Sequence, residues 1–364
     1  MKNKQTTILG TLWALGGALV LAASVWLLGW ILGIITGIIL VGLSFFGAGY
    51  AVYYIAIRRQ RKYLINEDSF VGLNMTKKEM YDASMQEMTE FRQRLEPYGI
   101  EKVKIVSRDG LRLSGLLVAG APGEKRIAVV IHGQGGIGLQ VGVGALYFRE
   151  RYGFNILLAD ARAHGESEGH AIGMGWPDRY DYLEWFRFLI ERFGEDAEIM
   201  LYGVSMGGAT VMLLSGEELP PQIKFLCSDC GYTNVYDEIK HVVKNMVHAP
   251  VLPVALPARL VCRLFAGYDI KEVSCTDAVK RSRLPMIFIH GEKDNMVPYW
   301  MAHKVYEAAA TKEKILISIP EGMHGTAWAK DSEGLIEKTV ALYIEKYMPG
   351  TILMNEGSGR ATSD

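Results

Sequence analysis

From Gln5 through Ile57 the chain has no Asp, Glu, Lys or Arg, a gap of 53 residues in a sequence that is 22% charged overall. A soluble core has no use for an uncharged run of that length, so part of this chain is built for a different solvent. Cysteine is scarce: Cys227, Cys230, Cys262 and Cys275 are too few and too late among 364 residues for a disulfide scaffold. Excess positive charge is missing where a globular body would lie. Beyond Lys62 there are 33 basic against 40 acidic residues, which leaves no basic field for a polyphosphate and excludes a nucleic-acid partner. No internal repeat is visible.

The first 62 residues invert that balance, with six Lys/Arg and no acid. A hydrocarbon core is crossed by roughly 20 helical residues, so the uncharged run suits two spans. They are predicted at 7–28 and 31–57, turning at Gly29-Trp30, with Trp26 and Trp30 at one interface and Gly33, Gly37, Gly42, Gly47 and Gly49 allowing close helix approach. Lys2 and Lys4 precede the run and Arg58, Arg59, Arg61 and Lys62 follow it. Positive flanks at both ends favour a hairpin with both ends cytoplasmic. The expectation is therefore a multi-pass protein of the cell membrane with a cytoplasmic body, in preference to one span with an exported body or to a leader cleaved near Leu21-Ala22-Ala23-Ser24.

The rest divides by pattern. Residues 63–100 read as a juxtamembrane helical connector, with Thr76-Lys77-Lys78-Glu79 resembling a capping box. From Glu101 short β-rich runs alternate with helix-length segments: 103–107 and 111–118 form a hairpin around Arg108-Asp109-Gly110, followed by 127–131, 155–158, 199–202, 225–228, 286–290 and 314–319. That alternation predicts an α/β fold, a mostly parallel central sheet flanked by helices, over 101–350. Between 231 and 283 no strand is evident and Pro250, Pro253 and Pro257 interrupt the pattern, as expected of a cap inserted over the ligand side. A final helix is expected over 332–347, and the polar tail 351–364 has too little apolar content to order itself.

Within this frame Gly203-Val204-Ser205-Met206-Gly207 joins a strand to a helix-like run. A G-x-S-x-G segment there makes a sharp elbow that exposes the serine hydroxyl, marking Ser205 as a candidate nucleophile. A serine needs a positioned base, and His324 follows the last strand in a loop, with Asp294 after the preceding strand to orient it. The chain order Ser205, Asp294, His324 is the one expected of this elbow, which favours Asp294 over Asp229 and His324 over the early His164. His132-Gly133-Gln134-Gly135-Gly136 follows another strand; the backbone N–H of Gln134 and that of Met206 would make an oxyanion hole. No Lys-Ser/Thr pair follows this glycine loop, so it is not a phosphate cradle.

These motifs, with Asp160-Ala161-Arg162-Ala163-His164-Gly165-Glu166-Ser167, Asp229-Cys230-Gly231-Tyr232, His290-Gly291-Glu292-Lys293-Asp294 and Gly322-Met323-His324, resemble the α/β-hydrolase superfamily from about Glu101 to Tyr347. The likeness is to membrane-tethered serine hydrolases with a helical cap. Ala163 departs from it, standing where glycine is usual. The resemblance implies the same triad and oxyanion amides, no metal and no organic cofactor. The activity expected is acyl-enzyme hydrolysis, foremost of carboxylic esters with an apolar, lipid-like acyl group. An amidase or peptidase of the same fold and a non-catalytic scaffold are the alternatives, and the oligomeric state is left open. Leu252 and Leu256 in the cap are candidates for an acyl pocket. Cys227 and Cys230 have C-x-x-C spacing, but no second pair accompanies them, so core packing is the preferred reading over zinc or redox use.

Overall fold

A computed structural model describes residues 2–59 and 77–350. The uncharged run is a single helix, α1 (Lys2–Val52), extended by a π turn over Tyr53–Ile57. Leu15–Ile57 is the stretch long and apolar enough to cross a membrane. The two-span hairpin expected at 7–28 and 31–57 is therefore corrected to one helix. Glycine at a would-be turn weakens a helix without ending it, and no proline lies before residue 97 to force a break. The multi-pass topology goes with the hairpin, and so does the cytoplasmic placement of the body that rested on it. With lysines in its first turn and arginines just beyond its end, the single helix carries positive charge at both ends.

The body is built on eight strands: β1 (Ile100–Val106), β2 (Arg112–Val118), β3 (Arg126–Ile131), β4 (Asn155–Ala159), β5 (Glu198–Val204), β6 (Ile223–Asp229), β7 (Met286–Gly291) and β8 (Lys314–Ile319). They form one sheet in the order β1-β2-β4-β3-β5-β6-β7-β8. The first two strands are an antiparallel hairpin, β2 meets β4 antiparallel, and every later pair is parallel. Each predicted strand is present within a few residues. The central ones are near-continuous runs of Ile, Val and Leu because both faces of a parallel sheet are covered.

Alternation within a strand assigns the two faces. Ala128, Val130, Ile156, Met200 and Ile287 face α2 (Lys77–Leu95), α3 (Gly142–Tyr152) and α11 (Leu335–Tyr347). Ile127, Val129, Leu157, Leu201 and Phe288 face α4 (Asp178–Phe193), α5 (Met206–Leu214), α8 (Cys275–Val279) and α9 (Trp300–Ala308). Each fully buried Ile, Leu or Phe contributes roughly 1.5–3 kcal/mol, so these two layers hold the sheet rigid beneath whatever its loops carry. Between Gly231 and Arg283 the chain forms α6 (Val235–His241), α7 (Leu252–Phe265) and α8, with no strand; α10 (Ala327–Lys330) is a single turn beyond β8. Thr76 of the expected capping box and the tail beyond Gly350 lie outside the described residues.

The end of α1 is tied to the body. Tyr53 and Ile57 are buried, the Ile172 N–H donates to the Ile57 carbonyl at 2.6 Å, and the Arg59 guanidinium donates to the carbonyls of Gly165, Ser167 and Gly169.

Candidate active site

Ser205 sits between the last residue of β5 and the first of α5 at φ 57°, ψ −116°, a conformation L-residues rarely adopt. The strain is held from several sides. A side chain on Gly203 would place its Cβ 2.3 Å from the Gly207 carbonyl oxygen, and one on Gly207 would come 2.1 Å from that of Ile131, so only glycine lets strand and helix cross here. The Ser205 N–H donates to the Asp229 carbonyl at 2.8 Å, which anchors the elbow to β6. The hydroxyl is left at the C-terminal edge of the sheet, where an open α/β sheet places its ligands.

Loops from neighbouring strands converge on it. The Ser205 Oγ lies 2.8 Å from His324 Nε2, and His324 Nδ1 lies 2.8 Å from Asp294 Oδ2. Asp294 is itself fixed: Oδ1 accepts the N–H groups of Met296 at 3.0 Å and Val297 at 2.8 Å, and His290 Nε2 stands 3.3 Å from Oδ2. Burial would raise the Asp294 pKa, but the hydrogen bonds from His290 and His324 outweigh it and bring it down to about 2. His324 shows the reciprocal balance. Burial opposes its imidazolium, the Cys230 sulfur and the Asp294 carboxylate favour it, and the net shift is upward.

The other candidates are engaged elsewhere. Asp229 Oδ2 accepts the Tyr202 hydroxyl at 2.8 Å, and burial lifts its pKa to about 6. His164 accepts the Gly135 N–H at Nε2 and donates from Nδ1 to the Arg162 carbonyl, each at 2.9 Å; burial together with His132 holds its pKa down at about 3. His132 does the same for the next loop, accepting from the Ala161 N–H and donating to the Gly133 carbonyl. The two imidazoles stack edge to face at 4.9 Å and brace the glycine loop, a structural use of neutral histidine. Gly133 lies against the elbow, its Cβ direction 3.4 Å from the Ser205 Cβ. Ala163 takes φ 61°, the left-handed state that explains why glycine is usual there.

Three features were not legible in the sequence. The Gln134 side chain donates from Nε2 to the Ala56 carbonyl at 2.6 Å, joining the glycine loop to the end of α1 across 78 positions. Ala56 lies in the helix's last turn, where carbonyls have no intrahelical partner. Cys230, at φ 44° just past β6, offers a sulfur within 4.8 Å of the ligand atoms of Asp294 and His324. Burial pushes its thiol up to about 11. A metal ion bound by these three would compete with the Asp294–His324 hydrogen bond. The signal in the sequence was position: Cys230 follows a strand end at the same sheet edge as the other loops. Finally, Glu238 of α6 has a buried Oε2 with no partner among the described residues. Burial lifts its pKa to about 8, and it is coupled electrostatically to His324 and Asp294. The His241 Nε2 contact to the Asn295 carbonyl at 2.8 Å holds α6 over the Asp294 loop.

Leu252 and Leu256, expected to line an acyl pocket, are 66% and 44% exposed on the outer side of α7. Ala255, Ala258, Val261 and Cys262 of the same helix are buried, on the side that packs against α1.

No family model matches the chain. Among curated proteins it is 24% identical over 199 residues to the uncharacterized protein YqkD of Bacillus subtilis, a match spanning 55% of this chain and 65% of that one. It is 26% identical over 172 residues to the lysophosphatidylserine lipase ABHD12 of Xenopus tropicalis, spanning 43% of this chain and 40% of the relative. Among solved structures, the Pyrococcus furiosus esterase Pf2001 superposes with a TM-score of 0.57 at 19% identity, covering 71% of this chain and 94% of the esterase. The chain therefore has the α/β-hydrolase fold, with one N-terminal apolar helix among the described residues compatible with membrane association.

Proposed function

We propose that the protein is a serine hydrolase that works through an acyl-enzyme, foremost on carboxylic esters with an apolar acyl group. The observation that carries this reading is the unbroken chain of contacts Ser205 Oγ, His324 Nε2, His324 Nδ1, Asp294 Oδ2, each link 2.8 Å, beneath a strained elbow. Ser205 Oγ attacks the substrate carbonyl carbon while His324 Nε2 takes its proton, and Asp294 stabilises the resulting imidazolium. The oxyanion is received by the N–H groups of Met206 and Gln134, neither of which donates to a backbone carbonyl in the described loops. His324 then gives its proton to the departing alcohol, and the same base activates water to release the acid. An esterase and a lipase among the similar proteins agree with this substrate class.

The test uses the full chain in detergent. A fluorophosphonate is expected to modify Ser205 alone, read by peptide mass spectrometry, and Ser205→Ala is expected to abolish both labelling and ester turnover with an unchanged circular dichroism spectrum. Labelling of the intact protein elsewhere, or turnover retained in the variant, overturns the reading. Matched esters, thioesters and anilides then rank the leaving groups.

A further inference from the structure

The cap helix α7 distributes its side chains in the reverse of a soluble-protein helix. The residues it buries include Ala255, Ala258, Val261 and Cys262, while Leu252, Leu256, Leu260 and Leu264, spaced four apart, are 44–66% exposed. Phe265 at its end and Met246 and Val247 just before it extend the exposed apolar strip. A soluble helix turns its largest apolar residues inward. Leucines left outside on one face need an apolar partner.

The page also supplies what lies beside that face. α7 packs on the docked end of α1: a Cβ on Gly49 would come 2.5 Å from the Pro257 carbonyl, and the Phe265 ring lies 5.7 Å from Tyr50 and 5.4 Å from Tyr53. Around this contact Phe46, Tyr50, Tyr54 and Ile55 of α1 are exposed, so the leucine strip and the membrane-compatible surface of α1 are continuous. Tyr50, Tyr54 and Arg58, whose guanidinium sits 5.0 Å over the Tyr54 ring, form the aromatic and basic girdle found at headgroup level. Charge beside the strip is of both signs: Lys240 pairs with Asp237, and Arg259 and Arg263 pair with Asp269.

We propose that α7 is an interfacial docking helix whose leucine face enters the headgroup–acyl boundary of a phospholipid bilayer beside α1, seating the cap on the lipid surface. The occupant is the bilayer because the strip runs into a helix that is itself lipid-compatible. A soluble protein partner would have to cover α1 as well. The inference rests on exposure, packing and charge, and stands whether or not Ser205 is a nucleophile.

The test reads depth in the membrane. Full-length protein is reconstituted in phosphatidylcholine–phosphatidylglycerol vesicles, with bimane on single introduced cysteines; the native cysteines are all buried and stay unlabelled. Labels at Leu256→Cys and Leu260→Cys are expected to be quenched by about half by brominated acyl chains, while Leu342→Cys on α11 is unaffected. Quenching of the α7 labels by aqueous iodide to the same degree as at Leu342 overturns the proposal. Shielding from both quenchers that grows with protein-to-lipid ratio would assign the face to a second copy and overturns it too. A second arm uses Leu260→Gln/Leu264→Gln. Turnover of a water-soluble short-chain ester is expected to stay within about twofold and that of a bilayer-borne ester to fall about tenfold. An equal loss on both substrates, with a native circular dichroism spectrum, also overturns the proposal.

Discussion

The sheet body and the α1–α7 pair spend apolar side chains in opposite directions. In the body, Ile127, Ile131, Ile156 and Phe186 are fully enclosed and the surface is left to charge. In α1 and α7 most large residues point out, and the two helices come closest at Gly49 against Pro257, with Phe265 against Tyr50 beside it. Water drives the first arrangement through the hydrophobic effect. On the proposed bilayer seating that drive is absent from the second, and close backbone approach through small residues replaces it. The polar chemistry gathers where the first region ends, at the C-terminal sheet edge, and the Gln134 side chain reaches from there to the second region.

The comparison makes the two regions separable, and the strongest test of that is at the elbow. On the proposed mechanism Ser205→Ala lowers kcat by about 10⁴-fold or more, while the insertion of α1 and the labelling depth of α7 stay as in the parent. A loss of membrane association in that variant would break the separation. Asp294→Asn comes next, with a fall in kcat of about 10²–10⁴-fold. The pH profile adds a sign. His324 must be neutral to accept the serine proton, and against burial its pKa is raised with help from Asp294, so kcat/KM falls on the acid side through that raised pKa. Removing the Asp294 charge lowers it, and the acid limb is expected to move to lower pH. A limb that stays in place would show that another group sets it.

Gln134→Leu tests the bridge. It removes the bond to the Ala56 carbonyl while leaving the Gln134 N–H in place, and is expected to cost about 1 kcal/mol of stability. A misplaced oxyanion amide should lower kcat by about tenfold with KM little changed. Unchanged kcat would mean the helix end does not position the loop. The smallest effect is expected at Ala163. Glycine there relieves a left-handed alanine, worth about 1 kcal/mol, but gives up a buried methyl and backbone entropy of similar size. Thermal unfolding of Ala163→Gly should therefore shift stability by less than about 1 kcal/mol. A loss above about 2 kcal/mol would show that the methyl's packing dominates.

What sequence by itself determined follows from local rules. Strand positions, the β1–β2 hairpin at Arg108-Asp109-Gly110, the strand-to-helix elbow at Ser205 and the chain order of Ser205, Asp294 and His324 are readable because periodicity, turn residues and glycine requirements act over a few residues. The uncharged run from Gln5 to Ile57 was equally plain as apolar, but its length did not say whether one helix or two would use it; continuity of hydrogen bonding through Gly29 and Trp30 decided that. The remaining decisions needed three dimensions. Only the fold brings Cys230 and Glu238 towards His324, joins Gln134 to Ala56, and leaves Leu252 and Leu256 exposed. Each depends on which surface an element meets. A helix carries both of its faces in its sequence, but the side that becomes interior is chosen by the neighbours that pack against it, here by Gly49 and Tyr53 of a helix some 200 residues earlier.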